Sequence, residues 1–171
     1  MKIKMLSYVL FLVIITGNTF FPLYGISQTE TLTIKTISFH QVEEKSAHLL
    51  CDSSWVEDEI VLFVTAISKD FPCDFAFSEG EVALYPAKLV VQLDSILSNN
   101  LRWITFDIED HCGEACSIVT LFDESDQAFE TLYNSQIGDP ETLRYQKKGT
   151  TNIVKVTFES MEGVLRQIRF Y

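Results

Sequence analysis

Long stretches of the chain alternate apolar and polar side chains with a period of two, a pattern that only half-buried β-strands satisfy. Ile104, Phe106 and Ile108 alternate with Trp103, Thr105, Asp107 and Glu109; Val154, Val156 and Phe158 alternate with Lys155, Thr157 and Glu159. Leu89, Val91 and Leu93 form a third set against Lys88, Val90 and Gln92. Further β-branched and aromatic runs fall at 31–39, 60–67, 73–77, 128–133 and 164–171. Turn-forming residues separate them, at 70–72, 79–80, 98–100, 123–126, 138–140, 149–152 and 162–163. Eight or nine strands joined by short turns predict an all-β antiparallel sandwich, with one short helix at 41–50. With no repeat, low-complexity tract or linker, 28–171 reads as a single domain.

Residues 1–27 stand apart. Lys2 and Lys4 precede an apolar run over 5–17, and Gly25 and Ser27 put small residues where a signal peptidase cuts, ahead of Gln28. A retained anchor is the alternative, because apolar character resumes at Phe20-Phe21 and the stretch approaches the ~20 residues that span a bilayer. Asn18, Thr19 and Pro22 interrupt it and favour cleavage. Export predicts a secreted or periplasmic protein without a membrane span once the leader is removed. The chain carries 24 acidic and 13 basic residues, for a net charge of -11. Such an excess of carboxylate repels phosphate backbones and anionic lipid, so nucleic acid and membrane surfaces are excluded as partners.

Outside the cytosol, Cys51, Cys73, Cys112 and Cys116 are expected as two disulfides. If 101–110 and 117–122 are strands, a hairpin closing over Gly113-Glu114-Ala115 sets Cys112 opposite Cys116, within the Cα separation of roughly 4.4–6.8 Å that a disulfide tolerates. Cys51–Cys73 follows by elimination. Zinc is the rival use of these thiols, with His111, His40 and His48 in reach, but only one paired-cysteine element exists where metal sites usually show two.

The run from Trp103 to Asp123 reads as a strand, a C-G-E-A-C bend and a second strand ending in Phe122-Asp123. With the apolar strand ahead of it and the closing Ile168-Arg169-Phe170-Tyr171, it resembles secreted jelly rolls of the galactose-binding-like superfamily, which includes many carbohydrate-binding modules. The resemblance covers residues 75 to 171. It implies a jelly-roll sandwich with a disulfide-closed hairpin, and a non-catalytic module that stacks sugar rings on aromatic side chains flanked by polar groups. Related domains often carry an acidic pair in the last strand, where some hold calcium. Here Arg166-Gln167 stand at that place, so a structural calcium is not supported and no cofactor is expected.

Trp103 is the sharpest candidate for ligand contact, because its parity places an indole with Thr105 and Asp107 opposite the apolar face. The alternative is a Trp103 packed beneath another layer. Trp55, after Asp52-Ser53-Ser54 in a polar loop, and Tyr85, before Pro86, are further candidates that could equally be structural. The acidic groups at 107–110 and 123–126 lack the spacing of an EF-hand loop and read as solvated turns. No G-x-S-x-G, H-E-x-x-H, P-loop or G-x-G-x-x-G motif occurs. A small jelly-roll hydrolase or lyase requires His111 to meet two carboxylates in one cleft. Glycan binding is the leading expectation, and contact with an extracellular protein the alternative; oligomeric state is not readable.

Overall fold

Twelve strands and one short helix emerge from these patterns in the computed structural model, which describes residues 35–39, 51–78, 80–112 and 116–171. The expected leader at 1–27, the helix at 41–50, His40, His48 and the bend at 113–115 lie outside the described residues. All described residues fall in the compact unit Thr31–Tyr171. The strands are β1 (Lys35–Ile37), β2 (Ser54–Glu57), β3 (Ile60–Thr65), β4 (Phe75–Ser78), β5 (Glu81–Leu84) and β6 (Ala87–Gln92), followed by helix α1 (Ser95–Asn100). Then come β7 (Trp103–Asp110), β8 (Ser117–Phe122), β9 (Ala128–Tyr133), β10 (Glu141–Gln146), β11 (Lys155–Ser160) and β12 (Gly163–Phe170).

They form an antiparallel β-sandwich of jelly-roll type. One sheet has the order β10-β7-β12-β5-β4, with β1 also on β12, and the other has the order β2-β3-β6-β11-β8-β9. The apolar parity of each strand faces inward. Ile104, Phe106 and Ile108 of β7 meet Phe170, Leu165 and Leu84 from their own sheet, and Leu62, Leu89, Leu121 and Phe158 from the other, all fully or almost fully buried. Aromatic pairs close both open sides. Trp55 on β2 packs edge-on against Phe77 on β4 (5.2 Å), and Phe129 on β9 packs edge-on against Tyr145 on β10 (6.0 Å).

Three local features depart from the sequence reading. The strand total exceeds eight or nine because β2 and β5, four residues each, are too short for a period of two to stand out, and β10 lies outside the runs read as strands. Residues 98–100, read as a turn, end the helix α1, whose start is capped by Asp94 Oδ1 accepting the Leu97 N–H at 2.7 Å. Trp55 lies on β2 and not in a loop, because Asp58 and Glu59, both at positive φ, make the two-residue turn that pairs β2 with β3.

Both expected disulfides are present, with Cα separations of 6.2 Å for Cys51–Cys73 and 6.1 Å for Cys112–Cys116. The strands flanking the second bridge pair with different neighbours, β7 with β10 and β12, β8 with β11 and β9. β7 and β8 are therefore not the two arms of the expected hairpin, and the bridge ties the corner at which the chain leaves one sheet for the other. Asp110 sits inside that corner with no exposed surface, and its Oδ2 accepts the Ser117 N–H at 3.0 Å. Ser117 Oγ donates to Ser160 Oγ at 2.9 Å, and Gly163 lies against both. A Cβ on Gly163 would overlap both hydroxyl oxygens and stand 3.0 Å from Ser160 Cβ.

Two stability predictions follow from this architecture. Replacing both cysteines of the 22-residue bridge with serine is expected to cost about 3 kcal/mol, against about 2 kcal/mol for the four-residue one, in denaturant unfolding. Gly163→Ala is expected to cost ~1–3 kcal/mol by overpacking. Adding Ser160→Ala should recover part of that loss in a double-mutant cycle, and additive losses would refute the proposed contact.

Candidate functional site

The parity that buries Ile104, Phe106 and Ile108 turns Trp103, Thr105, Asp107 and Glu109 to the outer surface of the first sheet. Neighbouring strands complete this surface in register. From β10, Gln146, Arg144 and Thr142 stand opposite Trp103, Thr105 and Asp107. From β12, Arg169 and Gln167 stand opposite Thr105 and Asp107, and the backbones of Tyr171 and Trp103 exchange hydrogen bonds of 3.0 and 3.3 Å. A register shift between Leu165 and Gln167 makes Arg166 the extra residue of a bulge. The bulge keeps Gln167, Arg169 and Tyr171 on the outer parity.

Trp103 is half-buried. Its indole stacks on Tyr171, with centroids 5.2 Å apart and planes 27° from parallel. The Arg144 guanidinium lies over the same ring, 4.8 Å from its centroid. These groups come from the strands on either side of β7, Arg144 from β10 and Tyr171 from the end of β12. Asp107 accepts a hydrogen bond from Thr142 Oγ1 at 2.8 Å and pairs with Arg169, whose Nε donates to Gln167 Oε1 at 2.6 Å. Arg144 is exposed and, among the described residues, has no carboxylate partner. Thr105, in register with both arginines, is only 8% exposed, and its hydroxyl has no hydrogen-bond partner. A buried hydroxyl without a partner costs roughly 1–3 kcal/mol.

The structure thus brings Trp103, Thr105 and Asp107 onto one surface and leaves the other two candidates elsewhere. Trp55 packs on Phe77 beside the Cys51–Cys73 bridge and seals a sheet edge. Tyr85 is exposed where the chain passes between sheets after β5. Its neighbour Leu84 shares a pairing row with Gly163 and Asp110, at the far end of β7 from Trp103. Sequence reasoning missed Arg144, Arg169 and Tyr171. The signals were present in the alternation of Leu143 and Tyr145 with Thr142, Arg144 and Gln146, and in the parity of Ile168 and Phe170.

Other titratable groups are tied into the scaffold. Arg166 donates through Nε to Glu81 at 3.1 Å and through Nη2 to Glu109; the Glu81 hydrogen bond foremost raises its pKa, against partial burial that lowers it. His111 Nε2 is 3.5 Å from Glu109 Oε1, a carboxylate already held by Arg166. Asp123 Oδ1 accepts the Ser125 and Gln127 N–H groups at 2.9 and 3.0 Å, as a turn-forming aspartate does. Asp110, Cys112 and Cys116 place potential ligand atoms within 4.8 Å of one another, but the two sulfurs are bonded to each other and offer no thiolate.

No family model and no curated protein matches the chain. Among solved structures, it is similar to a family 29 carbohydrate-binding module from Piromyces equi, at 9% identity and a TM-score of 0.48, over 69% of this chain and 83% of that one. It is also similar to a low-affinity xylan-binding module, of family 86, from the gut symbiont Roseburia intestinalis, at 17% identity and a TM-score of 0.43, over 66% and 94%. These identities are too low to carry residue roles from those proteins to this one.

The state of Thr105 generates a direct prediction. Thr105→Val keeps the shape and removes the unsatisfied hydroxyl, so thermal unfolding of the unliganded protein is expected to be unchanged or raised. A loss above ~1 kcal/mol would mean that the hydroxyl is bonded.

Proposed function

We propose that this protein is an extracytoplasmic, non-catalytic glycan-binding module whose binding surface is the Trp103 end of the outer β10-β7-β12 surface. The observation that supports this reading best is the stacked Trp103–Tyr171 pair on a strand face otherwise made of polar side chains. Sugar rings present apolar C–H faces and a rim of hydroxyls, and they suit a surface that offers aromatic carbon beside hydrogen-bonding groups. Gln146, Arg144, Thr142, Asp107, Gln167 and Arg169 supply donors and acceptors around the pair. Their strands are locked by paired ladders and a disulfide-tied corner, so little ordering cost falls on binding. The two disulfides fit an oxidising compartment, and the exported-leader reading of residues 1–27 belongs to the same proposal.

A glycan array read with the wild type, Trp103→Ala, Tyr171→Ala and Tyr85→Ala tests this. The first two substitutions are expected to weaken binding by about 30-fold, the usual loss for an aromatic anchor, while Tyr85→Ala binds as the wild type does. Retained binding in Trp103→Ala removes this surface from the site. Absence of any glycan ligand for the wild type moves the reading to a protein partner.

A further inference from the structure

We infer that the glycan is acidic, and that Arg144 is a gate which a sugar carboxylate draws off the Trp103 ring; the inference rests on the glycan-binding reading above. Three observations meet at this point. The Trp103 indole is stacked on Tyr171, and the Arg144 guanidinium lies over its ring. That guanidinium lacks a carboxylate partner among the described residues, whereas Arg169 has Asp107 and Arg166 has Glu81 and Glu109. In register with Arg144 lies the Thr105 hydroxyl, enclosed and without a partner.

A neutral sugar that stacks on the ring where Arg144 lies displaces the cation–π contact and offers the guanidinium only neutral hydroxyl acceptors in return. A uronate does give something, because a carboxylate matches the guanidinium fork with two parallel charge-assisted hydrogen bonds. The same movement bares the indole face and opens the space over Thr105, whose hydroxyl can then meet a sugar oxygen. One displacement therefore satisfies the unpaired cation and the unpartnered hydroxyl, and exposes the aromatic face.

Local charge favours the same ligand class. Segments 101–107, 142–148 and 167–171, which make up this end of the three strands, hold five Lys or Arg residues and a single acid, Asp107, in a chain of net charge -11. Asp107 is already neutralised by Arg169. At physiological salt, fields decay over about 8 Å, so this basic end presents its own sign to a ligand and the distant carboxylates contribute little. Lys147 is partly engaged, with its Nζ 3.2 Å from both Ser98 O and Asn152 Oδ1, which leaves Arg144 as the cation in contact with the aromatic ring.

The test measures titration calorimetry of the full-length protein against oligogalacturonate, oligomannuronate and glucuronate-decorated xylan, each beside its methyl-esterified or undecorated neutral counterpart. The wild type is expected to bind at least one acidic form about tenfold more tightly than its neutral partner, the ratio falling with added salt. Arg144→Ala should abolish that preference by lowering the affinity for the acidic form to that for the neutral form. Thr105→Val should weaken binding of both forms without loss of thermal stability. Equal wild-type affinity for acidic and neutral forms overturns the acidic-glycan inference, an acid preference that survives Arg144→Ala overturns the Arg144 gate, and either result leaves glycan binding standing. If neither these sugars nor any array glycan binds, both fall together.

Discussion

The structure depends on a buried carboxylate at a corner. Asp110 ends β7 on the inward parity, where an ionisable group would ordinarily be excluded, and it is tolerated because the chain changes sheets there. The Ser117 N–H, which begins β8 and points into the same interior, needs an acceptor that no ladder supplies, and Asp110 provides it. The Cys112–Cys116 bridge holds the two strand ends near each other, the Ser117–Ser160 hydroxyl pair joins the next crossing, and Gly163 leaves the room they occupy. Two chain passages between sheets, from β7 to β8 and from β11 to β12, thus converge on one small polar cluster. Gly163 pairs with Asp110 at this end, and the bulge at Arg166 shifts the register before Gln167 and Arg169 come opposite Asp107 and Thr105.

A second buried carboxylate performs a similar task at the N-terminal edge. Glu57, on β2 of one sheet, accepts the N–H groups of Ser38 and Phe39, which follow β1 of the other, each at 3.0 Å. Phe39 has a φ of 58°, a conformation that phenylalanine rarely adopts, and the two hydrogen bonds together with full burial of its ring hold it there. The sandwich edges are therefore joined by carboxylate-to-backbone bonds where its middle is joined by apolar packing.

The alternation of Ile104, Phe106 and Ile108 made β7 legible, and with it the grouping of Trp103, Thr105 and Asp107, because parity is a property of consecutive residues. Which strands lie beside β7 is not such a property. The spacing of Cys112 and Cys116 permits a bridge equally well across a hairpin and across a sheet-to-sheet corner, since both bring Cα atoms to about 6 Å. Only the wider pairing pattern separates the two. Arg144 and Tyr171 reach Trp103 through long-range pairing over 41 and 68 residues of chain, a relation local patterning does not carry. Trp55 was ambiguous for another reason: tryptophan in a polar context suits a ligand contact and an edge seal alike, and its partner Phe77 lies on a different sheet.

In the proposed binding surface, paired ladders hold the backbone while one side chain is only weakly held. The ladder partners of Trp103, Thr105 and Asp107 are fixed by the β7–β10 and β7–β12 registers, and the Arg169–Asp107–Thr142 chain of bonds locks the middle of the surface. Arg144 alone of these side chains is exposed and held only by a ring face, an interaction worth about 0.5–1 kcal/mol at an exposed site. That is within reach of a single charge-assisted hydrogen bond. A rigid ladder that leaves one weakly held cation over its aromatic group can therefore answer a ligand by moving one side chain, with no rearrangement of the strands that position it.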